Sequence, residues 1–126
     1  MTSEIYLYKQ ECYSIIGCCM EVHKELGRGF LEAVYQEALE IVFLEEQIPH
    51  VREKLVNIKF RDQTLNKKYV ADFLCYNEVI VELKATDGLI DADIAQALNY
   101  LKALDKKIAL LVNFGTPKLQ YKRVIL

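Results

Sequence analysis

The chain has 126 residues, 52% of them apolar and 27% charged, with a net charge of −2. That composition predicts one globular domain over residues 1–126, with a core large enough to need no disulfide or metal staple. It excludes a disordered or low-complexity chain, a membrane span, which needs about 18 to 20 consecutive apolar residues, and a globally basic nucleic-acid binder.

The opening "MTSEIYLYKQEC" has no basic start followed by an apolar stretch and a small-residue cleavage site, so no secretory signal is read and a cytoplasmic location is expected. Cys12, Cys18, Cys19 and Cys75 fit no zinc or iron–sulfur spacing and form no C-x-x-C. They read as reduced, small buried hydrophobes.

A first helix is predicted over about 4–26, because Tyr8, Cys12, Ile15, Cys19, Val22 and Leu26 follow three-to-four spacing. "LGRG" stops it, since glycine tolerates the left-handed conformation of a helix end. A second helix is predicted over about 30–47, with a stripe of Leu31, Val34, Ala38, Ile41 and Val42, ending before Pro49. In "KLVNIKFR" Val56, Ile58 and Phe60 alternate with polar residues, the period of a half-buried strand. "DQTLNKK" reads as a hairpin turn, "YVADFLCY" as a second strand, "NE" as a tight turn and "VIVELKA" as a third strand.

"TDGLIDAD" leads into a third helix over about 91–104, with Ile94, Ala97, Leu101 and Leu104 facing inward. "KIALLVNF" is a continuous apolar run, the pattern of a strand buried on both faces. The tail "LQYKRVIL" supplies a short edge strand. Three meander strands followed by a helical crossover predict an α/β (α+β) fold with a mixed central sheet and flanking helices.

Side chains alternate across a strand, so Ile80, Glu82 and Lys84 share one face of the third strand while Val79, Val81 and Leu83 take the other. Asp72 lies on the preceding strand of the same hairpin, where a tight turn sets it beside or diagonal to Glu82. Two carboxylates at that range repel and raise each other's pKa. A magnesium ion relieves the repulsion, since it takes hard oxygen ligands, often one or two carboxylates plus waters and a substrate phosphate. An ammonium one pleat further, Lys84, orients a water or stabilises charge developing on phosphate. The E-x-K triplet by itself is better explained by solvated cross-strand partners at a sheet edge; Asp72 on the preceding strand of the hairpin brings the two readings level.

Other residues read as structural. His23 and His50 have no ligand spacing, and Tyr6, Tyr8 and Tyr13 suit a packed helix better than base stacking. Asp87, Asp91 and Asp93 suit a helix N-terminus. Lys67, Lys68, Lys118, Lys122 and Arg123 are the local positive charge, with surface solvation the plainer reading.

The order helix, three-strand meander, helix, strand, with Asp72 and Glu82-Leu83-Lys84 on the second and third strands, resembles the PD-(D/E)XK nuclease superfamily. Gln96-Ala97-Leu98-Asn99-Tyr100 adds the Q-x-x-x-Y motif of its exonuclease-like branch. "GFLEAVY", with Gly29, Glu32 and Tyr35, resembles the signature of the bacterial GxxExxY family within that superfamily. The resemblance implies a restriction-endonuclease-like αβββαβ core behind an extra N-terminal helix. It implies Asp72 and Glu82 as ligands of Mg²⁺ or Mn²⁺, with Glu32 and the Leu83 carbonyl joining them, and Lys84 as the catalytic lysine. Gln96 and Tyr100 become supporting or substrate-binding residues, and Tyr35, one turn from Glu32, a brace for that carboxylate. Ala71 stands where the superfamily name has Pro, and Tyr69 where the exonuclease-like branch often has Gly; neither change removes a ligand.

The function expected is phosphodiester hydrolysis, with DNA as the partner and RNA as a further substrate to compare. A homodimer or protein partner would compensate for the lack of a separate DNA-reading module. The alternative is a non-catalytic nuclease-fold module for nucleic-acid binding or protein assembly.

Overall fold

Strand alternation sorts this chain into three layers. In the computed structural model, which describes residues 7–126, the elements are α1 (Lys9–Leu26), α2 (Glu32–Glu45), β1 (His50–Phe60), β2 (Gln63–Cys75), β3 (Val79–Lys84), α3 (Asp91–Leu104), β4 (Ile108–Asn113) and β5 (Gln120–Ile125). The strands form one sheet in the order β1-β2-β3-β4-β5. β1, β2 and β3 make an antiparallel meander, α3 crosses to β4 parallel to β3, and β5 returns antiparallel as an edge. Val79, Val81 and Leu83 pack with α1 and α2 on one face; Ile80 packs with Ala97, Tyr100 and Leu101 of α3 on the other. β4 is buried at all six positions, as a parallel strand covered on both faces must be. This is the expected mixed α/β architecture, with α1 as the extra N-terminal helix. α1 starts later than the expected residue 4: Tyr8 holds φ 51°, a left-handed conformation that a helix cannot continue through, so the first helical residue is Lys9. Residues 4–6, Tyr6 among them, lie outside the described residues.

α1 buries Cys12, Ile15, Cys18, Cys19 and Val22, close to the predicted stripe. All four cysteines are free and buried. Burial pushes the Cys18 thiol up to about 11, and Cys19 and Cys75 also rise, so none offers a ready thiolate.

α2 departs from its predicted face. It buries Tyr35, Gln36, Leu39, Val42 and Phe43 and exposes Leu31, Val34 and Ile41. The helix is apolar on several sides, so spacing alone allows more than one stripe. The aromatic rings, with the largest area to bury, decide between them. Tyr35 stacks on Phe114 at 4.5 Å, and Phe43 meets Phe73 edge-on at 5.0 Å.

Both hairpin turns are tighter or earlier than expected. The β1–β2 turn is Arg61-Asp62 alone, at φ 50° and 63°, and β2 already begins at Gln63. Positive φ at both central residues matches the right-handed strand twist. "QTLNKK" is therefore strand rather than turn; its polar composition reflects solvation, since residues 63–70 are all exposed. β2 has 13 residues and β3 six, so the β1–β2 hairpin runs on beyond β3 as a two-stranded arm. The β2–β3 turn places positive φ at Tyr76 and Asn77, one residue before the predicted pair.

Candidate active site

Asp72 sits where the ladder opens. The β2–β3 register runs Cys75↔Val79, Leu74↔Ile80, Phe73↔Val81 and stops there. One step further, side chains replace backbone partners. The Asp72 N–H donates to Glu82 Oε1 at 2.8 Å, and the Leu83 N–H donates to Asp72 Oδ2 at 2.8 Å. Each carboxylate thus caps the other residue's strand. On the β1 side, Arg52 pairs with Phe73 and Lys54 with Ala71, and between them Glu53 holds φ 56°. A non-glycine residue in that region is uncommon, so the backbone is irregular on both flanks of Asp72.

The pair is held in a low-dielectric setting. Glu82 is 5% exposed. Burial, then the charge of Asp72, pushes its carboxyl up to about 8. Burial also raises Asp72, against the opposing hydrogen bonds from the Leu83 N–H and Gln36. Tyr100 is pushed up to about 12 by burial and then by the charges of Glu82 and Asp72, which places its hydroxyl in their field.

Lys84 follows one pleat on. Its ammonium lies 3.7 Å from Asp93 Oδ1 and 3.5 Å from Gln96 Oε1. Its surroundings are fixed from behind: the Phe114 N–H donates to the Lys84 carbonyl at 2.8 Å, and buried Asn113 bonds both the N–H and the carbonyl of Thr86. Asp93 also caps α3, accepting from the Ile90 N–H at 3.0 Å through its other oxygen. The sequence assigned it the cap alone.

α2 brings the third side. Glu32 is exposed at the first position of the helix. Partial desolvation raises its carboxyl, Lys84 opposes this, and Asp72 and Asp93 add to it. Tyr35 does not brace Glu32. Its ring is fully buried, and its hydroxyl donates to the Gly27 carbonyl at 2.5 Å and accepts from the Phe30 N–H at 3.3 Å. It latches the loop between α1 and α2, where Gly29 adopts φ 113°, a conformation that favours glycine. Leu83 buries its side chain in the core and meets the pair through its backbone N–H.

Two residues at this site carried no signal in the sequence reading. Gln36, 8% exposed, donates to Asp72 Oδ1 at 2.9 Å and accepts from Arg52 Nε at 3.0 Å. Arg52 also pairs with Glu40 at 3.1 Å, and Glu40 with His50 at 3.0 Å. His50, packed between Phe43 and Phe73, is thus the far end of a polar chain leading to Asp72. Gln36 lies one turn beyond Glu32 on the same helix, a spacing that could have pointed to it. His23 is engaged with the Thr116 carbonyl at 3.0 Å, far in sequence from the pair. Tyr13 is 77% exposed, Lys68 bonds Asn57, and Arg123 donates to the Leu7 carbonyl.

Among the described residues, no three His, Cys, Asp or Glu side chains converge as a ready metal cage. What converges is a pair, Asp72 and Glu82, with Glu32 in electrostatic range. The donor set still suits a hard cation. All its atoms are oxygens, each carboxylate oxygen has a second lone pair, and the repulsion that raises Glu82 is what a cation would relieve. Magnesium characteristically uses one or two carboxylates and completes its shell with water and phosphate.

A strand pair opening onto Asp, Glu-x-Lys between two helix starts defines a nuclease-type fold. The chain belongs to the PD-(D/E)XK nuclease superfamily, whose sequence model matches residues 9–124. Nucleases of this kind generally use divalent metals. Among solved structures, the crystal structure of SSO0001 is similar, with a TM-score of 0.60 and 17% identity over 74% of this chain and 48% of that one. The likeness is one of fold, and the chain spans about half the length of that protein. No curated protein matches it. Among the described residues, no helix is long and apolar enough to cross a membrane.

Proposed function

We propose that this protein is a Mg²⁺- or Mn²⁺-dependent nuclease hydrolysing phosphodiester bonds in DNA, of the GxxExxY branch of the superfamily. The observation that carries the reading is the reciprocal clamp of Asp72 and Glu82 with the Lys84 ammonium one pleat away. When bound, a divalent cation supplies an activated water and positive charge at the scissile phosphate. Asp72 and Glu82 would hold it, with Glu32 and the Leu83 carbonyl completing the oxygen set. Lys84, steadied by Gln96 and Asp93, orients the attacking water or neutralises charge growing on the phosphate oxygens. Tyr100, on α3, lies near enough to the carboxylates to feel their charge. The GxxExxY assignment gains support from the backbone at Gly29, the position of Glu32 and the latch made by Tyr35.

The test is a cleavage assay with Mg²⁺ or Mn²⁺ on single-stranded DNA, duplex DNA and RNA, comparing wild type with Asp72→Ala and Lys84→Ala. Metal-dependent cleavage of DNA lost in both variants supports the reading. Equal activity in wild type and Lys84→Ala overturns the role of the lysine. The second reading, a non-catalytic module for nucleic-acid binding or assembly as a homodimer or with another protein, is favoured by the lack of a three-ligand cluster among the described residues. Calorimetry separates the two: saturable Mn²⁺ binding lost in Asp72→Ala supports the enzyme, and no binding supports the module.

A further inference from the structure

We propose that the cleft between the β1–β2 arm and α3 is the track along which a single-stranded nucleic-acid segment reaches the Asp72–Glu82 pair. This rests on the nuclease reading and gives it a substrate form and a binding surface. The cleft measures about 1030 Å³. Lys54 and Lys59 of the arm and Lys102 of α3 face it, and no lining residue is acidic. In a chain of net charge −2, this is the local basic surface that a phosphate backbone requires. Lys68 stands behind it, bonded to the lining residue Asn57 at 3.3 Å.

The cleft also offers a stacking surface. Tyr69 is 39% exposed on the arm, its ring 5.9 Å from that of Tyr100, with the Lys67 ammonium 5.6 Å from its centroid. An aromatic face inside a cationic groove is the arrangement that holds unpaired bases without reading their sequence. Bases in a duplex are already stacked on one another, so Tyr69 favours a single strand. Asn57, Gln96 and Asn99 add amides for sugar or phosphate oxygens.

Continuity joins the cleft to the chemistry. Gln96 and Tyr100 line it, and the same Gln96 contacts Lys84 while Tyr100 lies in the field of Glu82 and Asp72. A strand lying in the cleft therefore passes Gln96, 3.5 Å from the Lys84 ammonium, which stands one pleat from Glu82.

The experiment is fluorescence anisotropy of a labelled 12-nucleotide single-stranded deoxyoligonucleotide with the full chain in EDTA, where cleavage cannot occur. The triple variant Lys54→Ala/Lys59→Ala/Lys102→Ala is expected to bind at least tenfold more weakly. Its log-affinity against log-salt slope should be shallower by about 2, since each phosphate contact on a single strand contributes about 0.7. Tyr69→Ala should weaken binding about 5- to 150-fold, the span of one lost base stack, and Tyr69→Phe should bind like wild type. Lys118→Ala/Lys122→Ala should bind like wild type. Duplex bound more tightly than single strand, or a triple variant that binds like wild type, overturns the proposal. The two readings fail separately. Oligonucleotide binding that depends on the cleft lysines, without metal-dependent cleavage, removes the nuclease and leaves the track. Cleavage that persists with binding indifferent to the cleft removes the track and leaves the nuclease.

Discussion

Gln36 hands a hydrogen bond from Arg52 on to Asp72: its amide oxygen accepts from Arg52 Nε at 3.0 Å and its amide nitrogen donates to Asp72 Oδ1 at 2.9 Å. The amide can be oriented only one way between a guanidinium donor and a carboxylate acceptor. Asp72 is thereby aimed by groups on α2 and β1 as well as by its own hairpin.

Gln36→Leu therefore removes the aim and leaves the strand carboxylates in place. Loss of a hydrogen bond that orients a metal ligand typically lowers metal affinity about 10- to 100-fold. Mn²⁺ titration calorimetry of Gln36→Leu should show that loss, with cleavage falling in parallel and rescued in part by excess metal. An unchanged Mn²⁺ affinity would mean that Asp72 is held by the Leu83 N–H alone.

Glu82 predicts an unusual dependence of stability on pH. Its carboxyl is raised from an ordinary 4.5 to about 8 in the folded protein. Between those values the native state holds a proton that the unfolded chain has released, so the folded state is favoured where Glu82 is neutral. That contribution is fully present below the unfolded value and is lost as pH rises through about 8. The raised carboxyls of Asp72 and Glu32 act in the same direction. The thermal midpoint of the metal-free protein should fall as pH rises from about 5 to about 9, and Glu82→Gln should flatten that fall. Because protons and cations compete for the same oxygens, saturating Mg²⁺ should stabilise the protein more at the alkaline end. A Glu82→Gln protein with the wild-type pH profile would refute the assignment.

The strand chemistry was legible because its period is two. Once "VIVELKA" is a strand, Glu82 and Lys84 must share a face, and a short turn must bring Asp72 opposite. The crossover to "KIALLVNF" was legible for a similar reason: an unbroken apolar run has to be covered on both sides. Gln36 and Arg52 were not, because their partners are 36 and 16 residues away and no periodicity encodes a side-chain contact across elements. The buried face of α2 was misread where Leu31, Val34 and Ile41 offered a stripe as regular as the true one. Asp93 was half read, since one carboxylate serves both the helix cap and Lys84.

Gly115 marks a close approach behind Lys84. A Cβ there would fall against the Thr86 carbonyl oxygen, 2.5 Å from the Thr86 nitrogen and 2.7 Å from the Ala85 carbonyl carbon. These are backbone atoms of the segment leaving β3, and they cannot rotate away. Gly115→Ala must push Ala85 and Thr86 outward and disturb the Asn113 bonds that hold Thr86. The expected loss is about 1–3 kcal/mol, the usual range for overpacking, measured by urea denaturation. Lys84 is next in the chain, so cleavage should fall by more than the unfolded fraction accounts for.

Tyr35 separates a loop latch from a site brace. Tyr35→Phe keeps the ring stacked on Phe114 and deletes the hydroxyl that joins Gly27 to Phe30. The Gly27 carbonyl loses a donor and the Phe30 N–H an acceptor, which should lower stability by about 1–3 kcal/mol. If the hydroxyl held Glu32, Mn²⁺ affinity measured per folded molecule would fall as well. With the hydroxyl committed to the loop, that affinity should match wild type below the melting transition. A Tyr35→Phe protein of wild-type stability and weakened metal binding would reverse the assignment and return Tyr35 to the site.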